Sequence, residues 1–198
     1  MARAETLVTM PINLADAKSA IDVIDAAFKN DPTWTWAFPD HAARRQWWTQ
    51  CIHGALRYPW ALHTGNFEAV SIWIPPDGTE FTPEVEQTIP ALLERLVGPR
   101  AIEVSELLCR FAQSHPHDVP HYYLSLLATG DEHRGQGLGS ELLKQNLARI
   151  DAEQMPAYLE SSNPANNRRY EALGFTPVVC FRAPGDGPIV TGMWRDRQ

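Results

Sequence analysis

The chain has 198 residues, 44% of them hydrophobic and 21% charged, with a net charge of −7, a profile that fits one globular domain spanning 1–198 with a sizeable core. The acidic balance argues against nucleic acid as the main partner and suits a cationic small molecule. Cys51, Cys109 and Cys180 form no CxxC pair, no apolar run nears the ~20 residues of a membrane span, and Met1–Glu5 lacks an apolar targeting core. A disulfide frame, a zinc site, a membrane partner and a signal peptide are therefore not expected, and the expected location is cytoplasmic.

In chain order, Thr6 to Met10 reads as a first strand, broken at Pro11. Ile21, Ile24, Ala27 and Phe28 recur at helical spacing up to Lys29. Asn30-Asp31-Pro32 stops that helix and opens an aromatic loop with Trp34, Trp36 and Phe38. A helix is expected from about His41 to Arg57, and 61–64 with 67–74 flank Gly65-Asn66 as a hairpin. After the turn Pro75-Pro76-Asp77-Gly78, helical periodicity runs over 83–97 and 101–114, an insertion of two helices before the central strand. His115, His117 and His121 fall in a connector stiffened by two prolines, which reads as a solvent-facing loop rather than a metal site, with His121 bordering the central strand 122–129.

The segment Arg134-Gly135-Gln136-Gly137-Leu138-Gly139-Ser140 joins that strand to a helix starting near Ser140. Alternating glycines let backbone N–H groups approach a ligand, and a helix dipole behind them favours phosphate. No Walker string is present, and the sixth position of a dinucleotide fingerprint counted from Gly135 is Ser140. A second block follows from Pro156 to Phe175: a short strand 157–161, Asn163 as N-cap, Pro164 at the first helical position and Gly174 as the C′ stop. The final hairpin pairs 176–181 with 188–194.

These blocks resemble the GNAT acetyltransferases. Arg134-x-x-Gly137-x-Gly139 is similar to the family's pyrophosphate loop, and Asn163, Tyr170 and Leu173-Gly174-Phe175 follow its second block. Residues 133–140 and 156–162 look most like the puromycin N-acetyltransferase type, although Thr129-Gly130-Asp131 stands where members often carry a proline. The resemblance implies a central mixed β-sheet flanked by helices, an α/β (α+β) fold, with acetyl-coenzyme A as cosubstrate and no metal. It assigns Leu127, Ala128 and Thr129 to the pantetheine arm, Arg134, Gly135, Gln136, Gly137, Leu138, Gly139 and Ser140 to the pyrophosphate, and Asn163 and Asn166 to further coenzyme contacts. Tyr170 is the expected general acid and Glu160 the expected base or amine-binding carboxylate. Trp34, Trp36, Phe38, Trp73 and His121 are candidate acceptor contacts, the first two because a loop ring has less packing to do than a helix ring. The expected reaction is direct acetyl transfer to a small primary amine by a monomer or homodimer. A silent coenzyme A sensor and a protein or peptide N-acetyltransferase remain the alternatives.

Overall fold

The computed structural model describes residues 7–198. Seven strands form one sheet in the order β1-β2-β3-β4-β5-β7-β6: β1 Thr9–Pro11, β2 Ala61–Thr64, β3 Ala69–Ile74, β4 Tyr122–Thr129, β5 Ala157–Ser161, β6 Thr176–Arg182 and β7 Ile189–Arg195. Neighbours are antiparallel except β4 and β5, which the crossover helix α7 (Leu138–Ala152) joins in parallel. The sheet is mixed and helices cover both faces, as the sequence implies.

Pleating divides β3 between two cores. Ala69, Ser71 and Trp73 face α7, where Leu142, Leu143 and Ile150 pack on Leu124, Leu159 and Phe175. Val70 and Ile72 face a larger core built from α1 (Ala17–Phe28), α3 (His41–Ala55), α5 (Ile89–Val97) and α6 (Ala101–Ser114). Ile24, Trp48, Ile52, Leu93 and Leu107 are sealed there.

Four expectations are corrected. The aromatic segment after Lys29 is not a loop but a helix, α2 (Pro32–Ala37): the Asp31 side chain accepts from the N–H groups of Thr33 and Trp34, and Pro32 takes the first turn. Asp-Pro there ends one helix and begins the next. The insertion before β4 holds three helices, since 83–97 divides into α4 (Pro83–Glu86) and α5. β3 begins at Ala69 because Phe67 and Glu68 still belong to the turn, with Phe67 at φ 60° and its N–H donating to Thr64. β1 lies at Thr9–Pro11, and the Thr6 end of the expected strand falls outside the described residues.

α8 (Asn167–Glu171) completes the list, preceded by a short 3-10 turn at Pro164–Asn166 that Asn163 caps. Among the described residues no helix is long and apolar enough to cross a membrane.

Candidate active site

Two irregularities of β4 create the site. Its pairing with β3 skips Ser125, Ile72 facing Leu126 and Trp73 facing Leu124, so Ser125 is a bulge residue. An extra residue re-aims the side chains on either side of it. Tyr122 and Leu124 face α7, whereas Leu126 and Ala128 face the larger core. On its other edge β4 pairs with β5 only from Tyr122↔Ala157 to Leu124↔Leu159. From Ser125 onward the strands splay, leaving that edge of β4 without a strand partner.

The splay opens into a groove of about 510 Å³ lined by Phe28, Asp31, Leu127, Thr129, Gly135, Gly137, Ser140, Asn163, Asn166 and Tyr170 among others. At one end lies the glycine loop. Gly137 has φ 81° and precedes α7, whose first-turn N–H groups receive no side-chain cap. A 15-residue helix with open N-terminal donors is suited to an anion. Gly139 has a different reason to be glycine: a Cβ there would lie 2.4 Å from Thr129 Oγ1, so a side chain would displace the Thr129 hydroxyl where α7 meets the end of β4. The loop fits a pyrophosphate by its donors and the open β4 edge fits an extended amide-bearing arm.

Arg134 borders the groove and also braces the loop, whereas Gln136 is outside the groove lining. Arg134 pairs with Asp131 at 3.0 Å and donates to the Ala27 carbonyl, and Gln136 donates to the Glu132 carbonyl. The Ala128 side chain points into the core, whereas Leu127 and Thr129 line the groove. Asn163 both caps the following turn, accepting from the Ala165 N–H at 3.1 Å, and borders the groove.

Tyr170 lies where the groove narrows into a passage of about 50 Å³ shared with Leu127, Ser125 and Glu160. Its ring packs edge-on against Phe175. Burial pushes its phenol up to about 12, with Asp31 adding and Arg169 opposing. The group is a neutral proton carrier throughout the physiological range.

Beyond the passage lies a cavity of about 810 Å³ walled by Trp34, Trp47, Phe81 and Phe111 and bordered by His115, His121, Tyr123, Glu80 and Glu160. The Glu160 side chain is 2% exposed, its Oε2 has no hydrogen-bond partner, and its Oε1 stands 3.7 Å from His115 Nδ1. His121 Nδ1 lies 2.7 Å from the Val119 carbonyl oxygen and so carries a proton, and its Nε2 meets His115 Nε2 at 3.1 Å. Burial raises the Tyr123 and Tyr158 phenols, with the Glu160 charge adding to both, so both rings stay neutral.

Three candidate acceptor residues lie elsewhere. Trp73 is fully buried under α7, its indole N–H donating to Asn146 Oδ1 at 2.9 Å. Phe38 is sealed in the larger core against Trp47. Trp36 packs under the Arg100 guanidinium, outside the cavity lining. Helical periodicity explains the separation, because α2 turns Trp34 and Trp36 to different sides. Trp34 and His121 do line the cavity. The histidine connector is solvent-facing only over 117–120: His121 is buried, and His115 is wedged edge-on against Tyr123 and Tyr158. His115 and Glu80 were not legible as site residues, since neither belongs to a motif.

Residues 26–175 match the acetyltransferase (GNAT) family. The chain is similar to the structure described as histone acetyltransferase HPA2 and related acetyltransferase from Corynebacterium glutamicum, with 26% identity over 98% of both chains and a TM-score of 0.72. It is also similar to arylalkylamine N-acetyltransferase 2 from Aedes aegypti, at 13% identity over 98% of this chain and 100% of that one, TM-score 0.70. A third similarity is to a polyamine N-acetyltransferase of Drosophila melanogaster that forms N-acetylagmatine, at 14% identity over 96% and 99%, TM-score 0.62. The last two likenesses speak for the fold alone. With the family match covering most of its length and a splayed β4–β5 groove at its centre, the chain belongs to the acetyltransferase (GNAT) family.

Proposed function

We propose that the protein is an N-acetyltransferase that moves the acetyl group of acetyl-coenzyme A onto a primary amine of a small molecule by direct attack. The observation that carries this reading is a junction: the groove of the glycine loop and the aromatic, acidic cavity meet at a passage lined by both Tyr170 and Glu160. The bound coenzyme supplies an activated acetyl thioester. Loop 134–140 holds its anionic end, and the open edge of β4 at Leu127 and Ala128 orients its arm. Glu160 takes the ammonium proton from the cavity side, and Tyr170 holds a proton where sulfur leaves.

Aromatic walls on several sides favour a small acceptor over an extended peptide. The likeness of 133–140 and 156–162 to the puromycin-acetylating type supports a small-molecule acceptor as well.

An acetyl-coenzyme A turnover screen over amines, aminonucleosides, polyamines and peptides tests the reading. Glu160→Gln keeps the shape and removes the base, so kcat at pH 7 is expected to fall by about 10²-fold or more. A loss confined to the acceptor KM makes Glu160 a binding group. Absence of turnover with every amine, despite coenzyme binding, leaves a silent sensor.

Trp34 and Trp36 make a paired test. Trp34 stacks on Phe38, Trp47 and Phe111 and faces the cavity, so Trp34→Ala is expected to raise the acceptor KM and to cost about 3 kcal/mol of stability. Trp36→Ala loses the Arg100 contact and leaves acceptor kinetics unchanged. Thermal melts and coenzyme titrations separate the effects, and equal acceptor kinetics in both variants would take α2 out of the acceptor site.

A further inference from the structure

Among the described residues five carboxylates line the cavity; Asp77, Glu86 and Asp118 are exposed, whereas Glu80, like Glu160, is largely withdrawn from solvent and held in place by its neighbours. Glu80 lies just past the Pro75–Gly78 turn, in a segment that is fastened to the end of α3. Arg57 donates to the Thr79 carbonyl and to the Gly54 carbonyl, and the Thr79 N–H donates to the Tyr58 hydroxyl at 3.0 Å. Thr79 Oγ1 in turn donates to the Phe81 carbonyl. A Cβ at Gly54 would lie 2.1 Å from the Glu80 carbonyl oxygen, so α3 has no side chain at the point where this segment crosses it. The bulge residue Ser125 donates its hydroxyl to Glu80 Oε1, while Oε2 makes no hydrogen bond among the described residues.

The position of Glu80 relative to the coenzyme side is also informative. Ser125 and Glu160 line both the passage and the cavity, whereas Glu80 lines the cavity only. Going away from Tyr170, the order is Glu160 with Ser125, then Glu80. Glu160, almost wholly buried, faces His115 through Oε1 and has no hydrogen-bond partner among the described residues on Oε2. Burial and the facing Glu160 both push the Glu80 carboxyl up, while Ser125 and His115 oppose this. Two neighbouring carboxylates withdrawn from solvent repel each other unless one takes up a proton or cations join them.

We infer that Glu80 anchors a second cationic group of the acceptor, so that the preferred substrate class is a short diamine or amino-guanidine whose reacting amine lies at Glu160 and whose distal cation lies at Glu80. This rests on the proposed N-acetyltransferase reading. It adds a selectivity that neither the glycine loop nor Glu160 supplies. A monoamine leaves one carboxylate without a partner, and a dication satisfies both. The aromatic walls bury the spacer between them.

The test compares diamines of three to six carbons with monoamines of equal length, by kcat/KM and by calorimetric titration of the full-length protein. A charge-assisted bond to the distal ammonium is expected to favour the diamine by about 10–100-fold. Glu80→Gln is expected to cut that ratio to near one. Glu80→Asp retracts the carboxylate by one methylene, so it is expected to keep a preference and move it to a longer diamine. Equal ratios in wild type and Glu80→Gln overturn the inference and leave the acetyltransferase reading standing. Absence of turnover with any amine defeats that reading instead. In that case the titrations still decide: diamine binding that Glu80→Gln weakens selectively supports the anchor, and binding without preference for the diamine removes it.

Discussion

Replacing Tyr170 by phenylalanine is expected to lower turnover by about 10²–10⁴-fold, the usual cost of losing a positioned general acid. The ring keeps its edge contact with Phe175, so the fold and the melting temperature should change little. The hydroxyl is the only part removed, and Tyr170 lines both groove and passage. The pH dependence follows from the raised phenol. A tyrosine pushed up to about 12 is still protonated at pH 9, so Tyr170 sets no alkaline limb in the usual assay range. Rates measured from pH 6 to 10 should therefore fall by a constant factor in the variant. Nearly full turnover with chemistry rate-limiting would reduce Tyr170 to a packing residue.

The second large effect is expected at Gly137. Its left-handed backbone disfavours a side chain, but aspartate tolerates that region better than most residues, and nothing lies within 4 Å of a Cβ there. Gly137→Asp should fold, therefore, and put a carboxylate among the loop amides proposed to hold the pyrophosphate. One like-charge pair about 5 Å apart at an effective dielectric near 20 costs roughly 3 kcal/mol, or about 100-fold in coenzyme affinity. Gly137→Asn has nearly the same shape without the charge and should lose far less. Calorimetry on the three proteins separates strain from charge, and equal affinities in all of them would move the anion site off this loop.

Much of the glycine-loop groove could be read from sequence because its residues are neighbours in the chain. Three glycines between a strand and a helix, then Asn163-Pro164 and Leu173-Gly174-Phe175, state their geometry locally. The acceptor side could not be read this way. Ser125 meets Glu80 across 45 residues, and the run Tyr122–Thr129 holds no glycine or proline to announce its bulge. Glu160 joins His115 only because β5 passes beside the end of α6. The assignment of Trp34 and Trp36 to one pocket failed for a local reason. Asp31-Pro32 is as good a helix start as it is a helix stop, and once the segment is helical its alternate rings must diverge.

Ser162 belongs to two walls at once. It directly follows β5, next to the turn that carries Asn163, Asn166 and Tyr170. Its hydroxyl donates to Asp31 at 2.7 Å, and its carbonyl accepts from Thr33 at the same distance. Helix α2, and with it Trp34, is thus strapped to the wall of the glycine-loop groove. Helices α5 and α6 make no such bond to residues 162–170 among the described residues. The consequence is evolutionary. A lineage that changes acceptor by substitution in α5 or α6 reshapes the far wall and leaves the coenzyme seat alone. One that tries the same in α2 pulls on both, so divergence of specificity is expected to accumulate in the inserted helices.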